Sequence, residues 1–312
     1  MESTFIYDSA PFRSAHAVTL AEGTHGLVAS WFAGRAEGSP DVAIWVARHD
    51  GARWQAPEKV ADGRVSRLRR HPCWNPVLHQ VPDGPLLLFY KVGPRPSRWW
   101  GMLMRSDDGG RTFSPPERLP RGILGPIKNK PVNGANGDLL CPSSVEDDGW
   151  RVHVEFTRDC GVSWRRSPPL NKRKAMKAIQ PTLLPFANGR VQLLCRTRQG
   201  AIGEAWSDDH GRTWSPVWLT GLPNPDSGID AVMMADGRAL LVYNHTATGR
   251  TPLTLAVSST GERWRVLRNI ESDPGEFSYP AVIQSADGRI HIAYTHNRTN
   301  LRHVTLTPDE LG

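Results

Sequence analysis

Seven short stretches of this 312-residue chain gather charged and hydrogen-bonding side chains beside proline and glycine, the composition of loops that present chemistry. Six of them recur along the chain: Phe12-Arg13-Ser14-Ala15-His16-Ala17, His71-Pro72-Cys73-Trp74-Asn75-Pro76, Gly125-Pro126-Ile127-Lys128-Asn129-Lys130-Pro131, Ile179-Gln180-Pro181-Thr182, Asn224-Pro225-Asp226-Ser227-Gly228-Ile229-Asp230 and Glu276-Phe277-Ser278-Tyr279-Pro280. The seventh is Gly34-Arg35-Ala36-Glu37-Gly38-Ser39-Pro40-Asp41. An imidazole such as His16 titrates near neutrality and suits general acid/base work. Asn75, Asn129, Asn244 and His245 carry ligand atoms for a cation, but no spacing selects them as a set, so neither a metal nor another cofactor is expected. Trp31, Trp45 and Trp74 could stack on sugar rings. With twelve tryptophans most must be core, and Trp74, between His71 and Asn75, is the best candidate for an exception.

Composition narrows the partners. The formal charge is +7, which favours anionic partners, yet the Lys and Arg residues are scattered and accompany no nucleic-acid-binding motif. An anionic carbohydrate is the expected partner. No run approaches the roughly 18 apolar residues of a membrane helix, and Met1-Glu2-Ser3-Thr4-Phe5 does not read as a secretion signal. Cys73, Cys141, Cys160 and Cys195 show no CxxC spacing and read as reduced thiols. A cytoplasmic protein is expected, or a secreted one if a signal has been removed.

The elements that must carry these stretches repeat. Ser207-Asp208-Asp209-His210-Gly211-Arg212-Thr213-Trp214 is matched by Ser106-Asp107-Asp108-Gly109-Gly110-Arg111-Thr112-Phe113 and Thr157-Arg158-Asp159-Cys160-Gly161-Val162-Ser163-Trp164. Ser258-Ser259-Thr260-Gly261-Glu262-Arg263-Trp264 is a shortened copy, and Ala47-Arg48-His49-Asp50-Gly51-Ala52-Arg53-Trp54 a degenerate one. The closing aromatics at 54, 113, 164, 214 and 264 lie 59, 51, 50 and 50 residues apart, the period of a stacked supersecondary unit. In each copy Asp can bond nearby amides while Gly takes the positive φ of a hairpin turn.

A second series interleaves with the first. Turn glycines at 26, 84, 137, 189, 237 and 288 each follow His, Asp or Asn and are flanked by β-rich apolar runs such as Leu86-Leu87-Leu88-Phe89-Tyr90 and Ala239-Leu240-Leu241-Val242-Tyr243. Six turns of one kind and five of the other imply six two-hairpin units, an all-β six-bladed β-propeller in a single domain over residues 1–312. The missing sixth box falls at the chain end, so the last strand should complete a blade with the N-terminal segment. The polar stretches, each a similar distance before a turn glycine, should then share one channel mouth.

The repeated turns resemble the Asp boxes of sialidases and related BNR-repeat propellers, where they lie on outer hairpins away from the active site. The resemblance extends to the polar stretches and implies a site. Arg13 lies where that family's Arg-Ile-Pro arginine is expected, Arg35 and Asp41 resemble its acid/base aspartate loop, and Arg196 and Arg250 resemble its second and third arginines. Tyr279 resembles the nucleophilic tyrosine. The implied activity is exo-glycoside hydrolysis at the terminal acidic sugar of a glycan: Arg13, Arg196 and Arg250 would clamp a carboxylate, Asp41 would protonate the leaving oxygen, and Tyr279 would attack the anomeric carbon.

One departure bears on mechanism. The glutamate that deprotonates the sialidase tyrosine falls at Gln180, and an amide is no base, so Glu155, Glu146 or Glu276 would have to serve. Propeller enzymes acting on uronic-acid glycans, including some lyases and rhamnosidases, resemble this chain in placing a histidine in the channel. There His16 or His71 would move the proton while Lys128 and Lys130 neutralise the uronate. A catalytically silent glycan-binding propeller is the third possibility, and Gln180 argues for it.

Overall fold

The computed structural model describes residues 1–134 and 137–311. A short strand β1 (Glu2–Phe5) precedes the first blade, β2 (Ser14–Gly23), β3 (Gly26–Gly34), β4 (Ala43–Arg48) and β5 (Glu58–Asp62). Blade II is β6 (Cys73–Gln80), β7 (Leu86–Val92), β8 (Trp100–Ser106) and β9 (Glu117–Arg118). Blade III is β10 (Val132–Asn133), β11 (Leu139–Val145), β12 (Arg151–Thr157) and β13 (Arg165–Arg166). Blade IV is β14 (Ala178–Pro185), β15 (Val191–Thr197), β16 (Ala201–Ser207) and β17 (Trp218–Pro223), and blade V is β18 (Asp230–Met233), β19 (Ala239–Tyr243), β20 (Leu253–Ser258) and β21 (Arg265–Glu271). Blade VI joins β22 (Phe277–Gln284), β23 (Ile290–His296) and β24 (Asn300–Leu306) to β1, which pairs antiparallel with β24 through Glu2↔Thr305 and Phe5↔Arg302. The six four-stranded antiparallel sheets make a six-bladed propeller, and the N-terminal strand closes the ring as expected.

The strand sequences follow from their depth. The second strand of each blade is covered on both faces by neighbouring blades, so it reads as a continuous apolar run rather than an alternation: β7 is buried throughout. Outermost strands meet water, and β9 and β13 consist of Glu117-Arg118 and Arg165-Arg166. Leu78, Leu88, Val28 and Ile44 fill the space between the first two blades, and Leu184, Leu194, Leu241 and Tyr243 the space between the fourth and fifth.

The repeated turn is a self-contained hydrogen-bonded cage. Asp209 Oδ1 accepts from the amides of Arg212 (3.0 Å) and Thr213 (2.8 Å), its Oδ2 accepts from Thr213 Oγ1 (2.6 Å), and Ser207 Oγ accepts from the Gly211 amide (2.8 Å). Asp108 and Asp159 repeat these bonds, and in the degenerate copy Asp50 still accepts from the amides of Ala52 and Arg53, both at 2.9 Å. The indoles of Trp164, Trp214 and Trp264 each donate to the carbonyl of the turn glycine at 2.9 Å. In the other series of turns, Asn136 beside Gly137 lies outside the described residues.

Blades I and VI meet along a seam crossed by a directional chain of hydrogen bonds. An indole N–H can only donate, so the bond from Trp54 Nε1 to His303 Nδ1 (3.2 Å) places the His303 proton on Nε2. His303 Nε2 then donates to His291 Nδ1 (3.1 Å), His291 Nε2 to Ser285 Oγ (3.1 Å), and Ser285 to Asp287 Oδ1 (2.5 Å). Burial pushes His291 down to about 4 and His303 to about 3, so both imidazoles are neutral in the fold. Free histidine titrates at about 6.5, so below that pH the unfolded chain takes up protons that the native seam refuses. This stability is complete above about pH 6.5 and falls as the pH drops toward 4 and 3, by up to about 1.4 kcal/mol per pH unit for each imidazole. The expected outcome is that His303→Gln, which keeps an acceptor for Trp54, shrinks the loss of Tm between pH 7.5 and 5.0. An acid limb identical to that of the parent protein would show that the relay does not set it.

Candidate functional site

The channel mouth is built by a repeated irregularity. The innermost strands β2, β6, β14 and β22 each break register, between His16 and Thr19, Trp74 and Val77, Ile179 and Thr182, and Ser278 and Ala281. Ala17, Asn75, Gln180 and Tyr279 occupy these bulges with φ of 55°, 39°, 55° and 53°. In three of the four the next residue is Pro76, Pro181 or Pro280, which has no N–H to give to a ladder. A left-handed backbone costs a bulky residue on the order of 1–3 kcal/mol, and such strain concentrates where function fixes a side chain. Lys128 adds a fifth such residue, with φ 71°, from the segment before β10. Opposite them lies Gly228, where a Cβ would lie 3.2 Å from Lys128 Cε and 3.3 Å from Tyr279 Cγ and would need these neighbours to give by a few tenths of an ångström.

Tyr279 is the centre of this arrangement. Its Oη accepts from Arg196 Nη1 at 2.5 Å and faces Gln180 Nε2 at 3.5 Å, while Gln180 Oε1 accepts from Arg196 Nη1 at 3.1 Å. Asp226 holds Arg196 from the far side, at 2.9 Å from Nε and 2.5 Å from Nη2. The His16 ring packs 4.2 Å from the Tyr279 ring, and its Nδ1 lies 2.9 Å from Thr295 Oγ1. Burial, then the charges of Arg298, Arg250, Arg196 and Lys128, hold His16 well below its ordinary pKa. A neutral imidazole therefore sits amid four cations that disfavour its protonated form. Arg250 stands 5.5 Å from the Tyr279 ring. Its Nη1 is 3.8 Å from Glu276 Oε1, beyond hydrogen-bond reach, and is a buried donor without a partner among the described residues. Such an unsatisfied buried donor points to a ligand acceptor.

Several residues named from sequence occupy other places. Arg13 is exposed and its guanidinium touches nothing among the described residues, whereas His16 enters the channel. The third guanidinium beside Arg196 and Arg250 is Arg298, in the β23–β24 turn, whose Nε donates to Glu276 Oε1 at 2.8 Å and whose Nη1 pairs with Glu37. Sequence reading missed it because its only local signal is a short polar turn. Asp41 is exposed and its Oδ2 accepts from its own loop's Arg35 amide at 2.7 Å. Arg35 is exposed too, and the carboxylate of that loop that joins the ion network is Glu37.

Glu155 cannot be the base for Tyr279. It is fully buried and accepts from the amides of Leu124 and Gly125 (3.1 and 2.6 Å) and from His153 Nε2 (2.9 Å). Lys128 and Lys130 do not await an anion. Lys128 Nζ spends its three protons on Asn129 Oδ1 (2.8 Å), the Ile229 carbonyl (2.7 Å) and the Pro280 carbonyl, and Lys130 Nζ bonds Asp230 Oδ2 and the Ala231 carbonyl, both at 2.9 Å. His71 packs edge-on against Trp100. Trp74 is buried with its indole on the Gly93 carbonyl at 2.9 Å, and the partly exposed ring near Arg196 is Trp150, which carries Arg198 3.9 Å above its face. Glu146, half-buried near Arg196 and Arg198, is raised by burial.

A six-bladed propeller with a tyrosine, a neutral histidine and three guanidiniums at one mouth defines a sialidase-like class of β-propeller. The BNR repeat-like domain matches residues 25–292, and the chain belongs to that sialidase-like BNR-repeat propeller family. Among solved structures the fold is similar to the NanB sialidase of Streptococcus pneumoniae (13% identity, 99% of this chain and 71% of that one, TM-score 0.80). It is similar to the intramolecular trans-sialidase of Ruminococcus gnavus (14% identity, 99% and 98%, TM-score 0.79) and to a Dyadobacter fermentans protein of unknown function (19% identity, 98% and 97%, TM-score 0.79). At these identities the likeness is one of fold. No protein with a curated description matches the sequence.

Lys128 ties blade III to the segments carrying Gly228 and Tyr279, so removing it strands buried carbonyls at the channel floor. Lys128→Met is expected to cost about 3 kcal/mol in urea unfolding, against less than about 0.5 kcal/mol for Arg13→Ala. Equal, small effects would mean that the channel does not depend on this pin.

Proposed function

We propose that the protein is a sialidase-like exo-glycoside hydrolase that removes the terminal acidic sugar of a glycan with Tyr279 as nucleophile. The observation that carries this reading is the Tyr279 oxygen, held at 2.5 Å by Arg196 on a left-handed backbone at the channel mouth. Tyr279 Oη forms the bond to the anomeric carbon as the glycosidic C–O bond breaks. A phenol is a nucleophile that avoids repulsion with the neighbouring substrate carboxylate. Its proton passes to His16, which packs on its ring and whose basicity rises once the substrate carboxylate offsets the charges of Arg298 and Arg250. The leaving oxygen takes a proton from Glu146, a carboxyl near Arg196 and Arg198 whose pKa is raised by burial. Water then opens the glycosyl-tyrosine, with retention of configuration. The substrate carboxylate pairs with the partnerless Nη1 of Arg250 and with Arg298; Arg196, already bonded to Asp226, Gln180 and Tyr279, orients the phenol.

A second reading keeps the residues and changes the bond broken. His16 would take the proton α to a uronate carboxylate, and Tyr279 would protonate the leaving oxygen as the double bond forms. The contact between the two rings at 4.2 Å and Gln180 in place of a carboxylate favour it. Aryl glycosides of N-acetylneuraminate, other nonulosonates, glucuronate and rhamnose separate these readings, with absorbance of unsaturated uronates followed on natural glycans. Release from a nonulosonate, lost by about three orders of magnitude or more in Tyr279→Phe at unchanged Tm, is the expected result. Undiminished turnover in Tyr279→Phe removes the tyrosine from the mechanism, rising unsaturation assigns the elimination, and silence with measurable binding assigns a non-catalytic glycan receptor.

A further inference from the structure

The rim of blade IV breaks the rule that the outermost strands of the first three blades obey. β5, β9 and β13 present Glu58, Lys59, Glu117, Arg118, Arg165 and Arg166 to water, charges that keep a sheet edge from pairing with another chain. β17 instead begins Trp218-Leu219, exposed by 43% and 42%. An exposed indole costs apolar hydration, and such patches mark interaction sites.

This indole is fixed. Trp218 Nε1 donates to Glu204 Oε1 at 2.7 Å, and Glu204 Oε2 accepts from Trp206 Nε1 at 3.2 Å and from Gln192 Nε2 at 2.8 Å. Trp218 therefore presents its ring face with little conformational entropy left to lose. It borders a cavity of about 690 Å³ shared with Trp206, Trp214, Glu204, Asp208 and Glu262. Its one guanidinium, Arg190, bonds Asp208 Oδ1 at 2.9 Å and Glu262 Oε1 at 3.3 Å and lies 4.1 Å over Trp206, so no cation there is free to receive an anion. Asp208, 81% exposed, keeps acceptor capacity for hydroxyl groups.

We infer that this cavity is an auxiliary carbohydrate-binding site for a neutral pyranose. The apolar C–H face of the sugar stacks on Trp218, and its hydroxyls donate to Asp208 and Glu204. The carboxylate-rich lining repels acidic sugars, opposite to the cationic channel mouth. The inference rests on membership of a glycan-processing family and not on the reaction proposed above.

Titration with lactose, chitobiose, mannobiose and cellobiose, followed by tryptophan fluorescence and calorimetry, tests it. Saturable quenching by at least one of them is expected in the parent protein and in Tyr279→Phe, with affinity at least tenfold weaker in Trp218→Ala at unchanged Tm. The site is overturned if none of the four sugars quenches, if Trp218→Ala binds as the parent does, or if free N-acetylneuraminate competes at this site as well as the neutral sugars. A concentration-dependent dimer that Trp218→Ala dissolves would overturn it too, by making this rim a self-association face. Sugar binding that persists while every aryl glycoside stays intact would leave this site standing and remove only the hydrolase reading.

Discussion

The contact between the first blade and the last governs everything at the channel mouth. His16 comes from β2, while its Thr295 and Tyr279 partners come from β23 and β22, about as far apart in sequence as this chain allows. The seam is also held by β1 on β24 and by the chain of bonds from Trp54 to Asp287. No local interaction can assemble this pair of rings; it exists only once the ring is closed. Loop-closure entropy must be offset before such contacts are rewarded, so the site is among the last parts of the fold to form and depends on the stability of all six blades.

The closed channel is electrostatically one-sided. Lys128, Arg196, Arg250 and Arg298 surround His16, while Asp226, Glu276 and Glu37 stand behind the guanidiniums rather than in front of them. The carboxylates fix the orientation of the arginines, and Arg250 Nη1 remains a buried donor without a hydrogen-bond partner among the described residues. With Gln180 neutral, no carboxylate bonds the tyrosine oxygen among the described residues, and proton transfer there has to involve a group that is uncharged before it acts.

The fold was legible because its determinants are local. Asp209 finds its partners within four residues, and each copy of the turn repeats the bonds without help from the rest of the chain, so period and blade number follow from the sequence alone. The site was less legible because its partners are distant. A lysine run before a proline reads as an anion receptor until the carbonyls of Ile229 and Pro280 arrive from blades V and VI to occupy Lys128. Arg13 and His16 are both candidates in the sequence, and which of them faces the channel depends on a bulge after His16 that a count of residues does not show, since a shift of one position turns a strand residue to the opposite face. Arg298 and Trp150 lie in turns whose sequences carry no sign of the channel. Their roles depend on Glu276 and Glu37 in one case and on Arg198 in the other.

The same bulge explains how one scaffold can carry different reactions. Each inner strand that bulges delivers a residue at the same backbone position whatever its side chain is, so Ala17, Asn75, Gln180 and Tyr279 occupy equivalent positions with unrelated chemistry. The backbone strain is set by the strand geometry and is borne equally by an alanine and a tyrosine. Substituting a glutamate by Gln180 therefore changes proton traffic without disturbing the blade that carries it. Gly228 differs: there Lys128 and Tyr279 lie so close that a Cβ would press on both. Side-chain chemistry can vary at the bulges, while the close approach opposite Tyr279 leaves little room for a larger residue at 228.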